Sequence, residues 1–115
     1  MDTYYAHYAI RNGKTYDYEH FTEEIRADGI INLRKRVAKE VLAILKKPHF
    51  SCEVTITSRP SSDYVGAISG YRNRFDGTPI MEWEFLDDGG YPIENVIYDL
   101  NPRTGKLGKK QIYLR

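Results

Sequence analysis

The chain has 115 residues, of which 41% are hydrophobic and 29% are charged, and its formal net charge is +1. This composition is typical of a globular protein with one domain (residues 1–115) and its own core, and it excludes a disordered chain. The near-balanced charge argues neither for nor against nucleic-acid binding, so only the distribution of charge can indicate a partner.

The cysteine content and the N-terminus indicate the compartment. One cysteine, Cys52, excludes an intramolecular disulfide and suits a reducing environment. No basic segment followed by an apolar one stands after Met1. No apolar run approaches the ~20 residues that a membrane span needs. The sequence therefore predicts a cytoplasmic protein without a membrane partner.

The first predicted element is a β-hairpin. Strands at Thr3 to Ile10 and at Thr15 to Phe21 flank Asn12-Gly13, a dipeptide typical of tight hairpin turns. A two-residue loop would pair Ala9 with Tyr16, whereas a three-residue loop with a bulge would shift the pairing by one residue. We prefer the three-residue loop, because it separates apolar from charged side chains better.

That register makes a specific prediction for the tyrosines. The residues on its core face are Tyr4, Ala6, Tyr8, Ile10, Tyr16, Tyr18 and His20. The residues on its opposite face are Tyr5, His7, Arg11, Asp17 and Glu19. Most of the tyrosines would then form the floor of the core, with their hydroxyls at its wet edge, and Tyr5 would be exposed.

The second predicted element is an amphipathic helix. Apolar residues recur at three- and four-residue steps from Ile30 to Leu45. Asp28 or Asn32 can cap its start, and Pro48 ends it. The segment Glu23 to Ala27, before the helix, is interpreted as a separate short turn.

The pattern then changes to strands. Phe50, Cys52, Val54 and Ile56 alternate with polar residues and predict a half-buried strand. Tyr64 to Arg72 predicts a further strand, in which Gly66 and Gly70 indicate a bulge or a close backbone approach.

The C-terminal third completes the predicted sheet. Met81, Trp83 and Phe85 are expected to face inward, with Glu82 and Glu84 outward. A last hairpin is expected at residues 96–100 and 111–114, around a loop at 101–108. The predicted fold is α+β, with a single amphipathic helix packed on a twisted antiparallel sheet in the order β-β-α-β-β-β-β-β. The second sheet face is then either solvated or a binding surface for a partner.

Sequence patterns typical of catalysis or of metal binding are absent. CxxC, HxxxH, HExxH, GxSxG and GxxxxGK[ST] do not occur. Cys52 stands at an inward strand position, where burial makes a thiol inert. Glu82 and Glu84 lie roughly 7 Å apart along one strand face, but no lysine accompanies them at a nuclease-like spacing. We therefore expect neither an enzyme nor a metal or cofactor site.

Charge is segregated along the chain, and this distribution supplies two sets of candidate residues. The candidate protein-binding residues are Tyr5, Asp17, Glu19, Glu82, Glu84, Asp87 and Asp88. The candidate nucleic-acid-binding residues are Arg34, Lys35, Arg36 and Lys39 of the helix and Arg103, Lys106, Lys109 and Lys110 of the last hairpin loop.

These sets favour a small, non-catalytic binding protein that masks a partner macromolecule. Inhibitors of nucleases or of defence systems from phages and mobile elements, and immunity proteins, belong to this class. Acidic patches would imitate nucleic-acid phosphates, and tyrosines would anchor the contact. The alternative is a nucleic-acid-binding domain that uses the basic helix and the basic loop. The sequence does not fix the oligomeric state.

Overall fold

The structure is a computed structural model that describes residues 1–75, 77–87, 89–100, 104 and 107–113, with 92–100 and 107–113 described as strand backbone. Within these residues the elements, in chain order, are β1 (Asp2–Asn12), β2 (Tyr18–Ala27), α1 (Gly29–Leu45), β3 (Phe50–Arg59), β4 (Ser62–Arg72), β5 (Pro79–Leu86), β6 (Pro92–Leu100) and β7 (Leu107–Tyr113). The strands form one antiparallel sheet in the order β2-β1-β3-β4-β5-β6-β7. Because α1 packs against β2 to β5 on one face, the predicted α+β fold is confirmed.

The core lies between α1 and the sheet face that it covers, which we call the inner face. From the helix, Leu33, Val37, Val41 and Leu45 are almost completely buried. The sheet contributes a set of buried apolar side chains: Tyr4, Ala6, Tyr8, Ile25, Cys52, Val54, Ile56, Ile68, Met81 and Phe85. The predicted inward positions of β3 and β5 are therefore confirmed, with Trp83 only partly buried.

The start of α1 differs from the prediction. Asp28 occupies the N-cap position without a side-chain capping hydrogen bond. Asn32 lies inside the helix, and its Nδ2 donates to the Asp28 carbonyl oxygen at 2.8 Å. Gly29 has φ +80° and lets the chain turn sharply from β2 into the helix. Asp28 therefore holds the predicted N-cap position, but neither its side chain nor that of Asn32 caps the backbone N–H groups of the first turn.

The first hairpin has a register that neither predicted loop gives. Ala9 lies opposite His20, and the loop spans residues 13–17. Asn12 Oδ1 accepts hydrogen bonds from the backbone N–H groups of Lys14 (2.9 Å) and Thr15 (3.3 Å). The Asn12 side chain thus starts a longer turn, as asparagine commonly does, instead of forming a tight Asn-Gly hairpin turn.

The longer loop changes the fate of the tyrosines. Tyr4 and Tyr8 are buried as predicted. Tyr16 lies in the loop with φ +65° and is 70% exposed, and Tyr18, at the start of β2, is 60% exposed. The predicted core face is therefore wrong for Tyr16, for Tyr18 and for His20, which is also exposed and lies opposite Ala9 on the other face of the sheet.

β2 is also longer than predicted. The segment Glu23 to Ala27 continues the strand, with Ile25 and Ala27 buried beneath the helix. The interpretation of this segment as a separate turn is wrong, since its alternation of buried and exposed residues pairs with β1 as far as Asp2.

At Gly66 the backbone approaches closely, as predicted, since a Cβ atom there would lie 2.6 Å from the Glu84 carbonyl oxygen, whereas at Gly70 side chains of α1 approach instead of backbone. A Cβ atom on Gly70 would lie 2.8 Å from Val41 Cγ1, and one on Gly66 would lie 2.6 Å from Phe85 Cδ1. The register of β3 against β4 also shifts between Ile56 and Thr57, next to Gly66. The absence of a side chain at Gly70 therefore lets α1 pack close to the sheet.

The backbone of β6 and β7 bears out the last predicted hairpin. Lys109 and Lys110 belong to β7, so their placement in the hairpin loop is wrong. Arg103 and Lys106 lie outside the described residues. In the described part of the chain, no helix combines the length and the apolarity that crossing a bilayer requires.

Candidate binding face

The candidate site is the sheet face opposite α1, which we call the outer face. The cross-strand register places its side chains in rows across the sheet, and three of these rows cross four or five strands. These rows are His20–Ala9–Glu53–Ser69–Glu82, Thr22–His7–Thr55–Ala67–Glu84 and Glu24–Tyr5–Thr57–Tyr64. No helix covers the outer face within the residues that the structure describes.

The outer face contains a shallow cavity of about 290 Å³, which we call the outer cavity. Its lining includes Tyr18 of β2 and Tyr71 of β4. Three small residues also line it: Ala9 of β1, Ser51 of β3 and Ser69 of β4. Because β1, β3 and β4 carry small side chains here, the sheet surface is open between larger neighbours. Arg11 and Glu53 also line the cavity. Its volume suits one inserted side chain of a partner.

The outer face carries charges of both signs, with a small excess of acids. Its described acidic side chains are Glu24, Glu53, Glu82 and Glu84, and its described basic ones are Arg11, Arg26 and Arg59, of which Arg59 is ion-paired with Asp63 at 2.9 Å. The tyrosines and acids are also coupled. The Tyr71 hydroxyl donates to Glu82 Oε2 at 3.2 Å, and burial together with the neighbouring Glu84 raises the pKa of Tyr64.

His7 is held by hydrogen bonds in the middle of the outer face. Its Nδ1 lies 2.9 Å from Thr22 Oγ1, and its Nε2 lies 2.9 Å from Thr57 Oγ1. The Thr57 hydroxyl donates to the Arg59 carbonyl oxygen, so its oxygen accepts from the His7 Nε2–H group. Both ring nitrogens therefore form hydrogen bonds, one to β2 and one to β3. These bonds link β1 to its two neighbouring strands, so His7 has a structural role in the sheet.

The histidines, which are candidate metal ligands, and the cysteine lie in the described part of the chain. No three side chains of the His, Cys, Asp and Glu types converge there as metal ligands would. Cys52 lies on the inner face, and burial raises the pKa of its thiol to about 11. At neutral pH this thiol is protonated and shielded, which makes it a poor nucleophile.

The structure brings together some of the predicted protein-binding residues. Tyr5, Glu82 and Glu84 all lie on the outer face, Tyr5 on β1 and the two glutamates on β5. Asp17 lies in the first hairpin loop. Glu19 lies opposite Ile10 on the inner face, in the first part of β2, where the side chains are exposed to solvent.

The predicted acidic pair after β5 has a different setting. Asp87 Oδ1 accepts hydrogen bonds from the backbone N–H groups of Gly89 and Tyr91, each at 2.9 Å. This carboxylate therefore stabilises the turn between β5 and β6. Asp88 lies outside the described residues.

The basic residues of α1 are partly engaged within the protein. Arg36 forms an ion pair with Glu23 at 2.9 Å, and Arg34 lies over the Trp83 ring at 5.3 Å from its centroid. Lys35 and Lys39 are exposed. Of the four helical cations that the sequence indicated for nucleic acid, these two lysines face solvent without an ion pair in the described residues.

Comparisons of the chain with protein-family models, with curated proteins and with solved structures found no match. The case for a function therefore depends on the geometry and charge of the side chains described above.

Sequence reasoning left Tyr18, Tyr71 and Glu53 out of the candidate site. The alternation of β3 does place Glu53 outward, so the residue was available from its pattern. Tyr71 follows Ala67 and Ser69 at two-residue steps, and that shared face is recognisable once β4 is assigned. Tyr18 could not be placed, because its face depends on the length of the first hairpin loop.

Proposed function

We propose that this chain is a cytoplasmic, non-catalytic binding protein whose outer face covers a basic surface of a nucleic-acid-binding protein. A nuclease is one partner of this kind, and its inhibition would follow from exclusion of its nucleic acid. The observation that supports the proposal is the combination of tyrosines with an excess of carboxylates on the uncovered outer face.

The outer cavity offers a place for a partner's arginine, although Arg11 of the lining, which lies over the Tyr16 ring at 5.4 Å from its centroid, repels a second guanidinium. Tyr18 and Tyr71 line the cavity, and a guanidinium stacks well on tyrosine rings. Glu53 stands beside them and is exposed, so its carboxylate can accept hydrogen bonds from an inserted guanidinium. The floor of small residues leaves room for the flat group. Aromatic anchors of this type dominate the binding energy of many protein interfaces.

The charge of the two faces would orient the approach to such a partner. The outer face carries an excess of glutamates, whereas α1 carries Lys35, Lys39 and further cations on the opposite side. A basic partner is attracted to the outer face and repelled by the helix. Long-range charge complementarity of this kind raises association rates and falls with ionic strength.

The test compares two variants with the same number of altered charges on opposite faces. The first is Glu53→Gln with Glu82→Gln, and the control is Lys35→Gln with Lys39→Gln. Each protein is used as bait in a native extract, and captured proteins are identified by mass spectrometry. We expect one basic nucleic-acid-binding protein to be captured by the wild type and by the control, and to be lost with the outer-face variant.

The masking step is tested with the captured protein in purified form. Fluorescence anisotropy follows its binding to a labelled oligonucleotide as the chain is added. We expect the wild type to displace the oligonucleotide and the outer-face variant to leave it bound. Simultaneous binding of the chain and the oligonucleotide would contradict masking.

A direct nucleic-acid-binding role is the alternative, and the same variants discriminate it. In that case the wild-type chain itself would bind an oligonucleotide at low salt, with a steep loss of affinity as salt rises. Loss of that binding in the Lys35→Gln/Lys39→Gln protein would overturn the proposal.

A further inference from the structure

The strand β2 forms one edge of the sheet, because it stands first in the strand order. Its pairing with β1 runs from Asp2 opposite Ala27 to Arg11 opposite Tyr18 without a shift in register. Its ten residues include neither proline nor glycine, the residues that commonly interrupt an exposed edge. The backbone groups on the far side of β2 therefore form a long, regular edge that a further strand can extend.

Two-fold symmetry limits how the β2 edges of two copies can pair. An axis perpendicular to the sheet makes the two strands antiparallel and keeps inner and outer faces on their own sides. Since successive side chains alternate between faces, a residue must meet another residue of its own face. The axis then passes through a residue of β2, and each choice of this residue fixes all the opposed pairs.

Only one central residue keeps most of β2 paired without opposing like charges. An axis at Phe21 places Glu19 opposite Glu23, and an axis at Glu23 or at Glu24 places that glutamate opposite itself. An axis at Thr22 pairs residues 18 to 26 with no such conflict. Like charges directly opposite in a sheet are destabilising, so the charge pattern selects the axis at Thr22.

The opposed pairs at this axis are complementary on the outer face. His20 of one copy lies opposite Glu24 of the other, and Tyr18 lies opposite Arg26. The rings of Tyr18 and His20 are stacked within the protomer, with centroids 5.8 Å apart, so they form one aromatic surface for the incoming strand. An arginine beside a tyrosine ring and a carboxylate beside an imidazole are both favourable neighbours.

The inner side of the edge tolerates the same pairing. Phe21 lies opposite the second copy's Glu23, whose carboxylate is already paired with Arg36 of its own protomer at 2.9 Å. Glu19 lies opposite Ile25, which is buried beneath its own helix. Neither pair opposes two acids.

We infer that two copies of this chain associate through their β2 edges about a two-fold axis at Thr22, which makes one continuous sheet. The inference does not depend on the proposed function. It nevertheless places the two outer faces side by side, with Arg26 of one copy next to Tyr18 of the outer cavity of the other.

The test measures the dimerisation constant by sedimentation velocity over a wide range of concentrations. His20→Glu opposes two glutamates at symmetry-related positions, so we expect dimerisation to weaken by about tenfold or more. The double variant His20→Glu with Glu24→Lys restores an opposite-charge pair at both positions, and we expect it to recover the wild-type constant. Lys35→Glu, on the helix and beside the groove next to Trp83, is the control and should leave the constant unchanged.

A second measurement uses the wild type alone, so its result does not depend on whether the variants fold. Hydrogen exchange of the β2 amides is followed in the wild type at low and at high concentration. We expect these amides to exchange more slowly at high concentration, because the second copy bonds to them. A wild type that is monomeric at all concentrations, or a dimer that the His20→Glu change does not weaken or the double variant does not restore, would overturn the inference.

Discussion

At the scale of single residues, Tyr8 combines a buried ring with an unsatisfied polar atom. Its ring stacks on Phe21 with centroids 4.7 Å apart. Its hydroxyl is buried and has no hydrogen-bond partner among the residues that the structure describes. Burial, reinforced by Glu23 and Glu40, raises the pKa of Tyr8 well above its ordinary value. A buried hydroxyl without a partner destabilises the folded state.

We therefore expect Tyr8→Phe to stabilise the protein by about 1 kcal/mol, since it removes the hydroxyl and keeps the ring. Urea denaturation measures the free energy of unfolding. Tyr4→Phe is the matched control, because the Tyr4 hydroxyl interacts with Asp2, and it should give no such gain. A loss of stability in Tyr8→Phe would mean that the hydroxyl has a partner in solution.

Cys52 gives a prediction on pH dependence. Burial raises the pKa of its thiol from 9.0 to about 11, so the folded state holds this proton more tightly than the unfolded state. The resulting stability is complete below pH 9 and is lost as pH rises towards 11. Between those values the wild type should lose about 2–3 kcal/mol of unfolding free energy relative to Cys52→Ala. Denaturation at several pH values measures this difference, and parallel curves for the two proteins would contradict burial of the thiol.

At the scale of elements, the seam between α1 and β4 depends on Gly70. A Cβ atom there would approach Val41 Cγ1 to 2.8 Å and Leu45 Cδ1 to 3.1 Å. We expect Gly70→Ala to cost about 1–3 kcal/mol of unfolding free energy, because the helix must move away from the sheet. Gly89→Ala is the control, since its nearest neighbours would lie at an ordinary 3.4 Å. Equal stabilities for the two variants in urea denaturation would show that the seam has spare room.

The elements that the sequence predicted well are those with a long, uniform period. The stripe of α1 and the alternation of β3 each repeat often enough to identify the buried face, and the structure buries Val37, Val41 and Val54 accordingly. Side-chain packing sets these patterns, so they are visible without the rest of the fold.

The first hairpin could not be predicted in the same way. Its register depends on whether Asn12 forms a tight turn with Gly13 or uses its side chain to start a longer one. Gly13 N–H donates to the His49 carbonyl oxygen at 2.7 Å, a tertiary contact that no local pattern reveals. This contact and the Asn12 side chain both hold the five-residue loop, and the loop length sets the positions of Tyr16 and Tyr18.

Only part of the candidate site could be predicted from the sequence. Glu82 and Glu84 follow directly from the alternation of β5, and the structure places both on the outer face. The outer cavity could not be predicted, because it joins β1, β2, β3 and β4 through their order in the sheet. Sequence patterns give the face of a strand but not its neighbours.

At the scale of the whole molecule, a group of glutamates and a group of exposed lysines lie on opposite surfaces. Glu53, Glu82 and Glu84 lie on the outer face, and Lys35 and Lys39 are exposed on α1. The net charge of +1 hides this separation. The proposed function assigns recognition of a basic partner to the outer face and leaves the basic helix on the far side of the complex.

The most direct test of this assignment is an amide NMR titration of the chain with a short arginine-rich peptide. We expect the largest shifts around the outer cavity, at Tyr18, Ser51, Glu53, Ser69 and Tyr71, and their loss in Glu53→Gln/Glu82→Gln. Shifts confined to α1, or an oligonucleotide that binds α1 while the peptide leaves the outer face unchanged, would contradict recognition by the outer face.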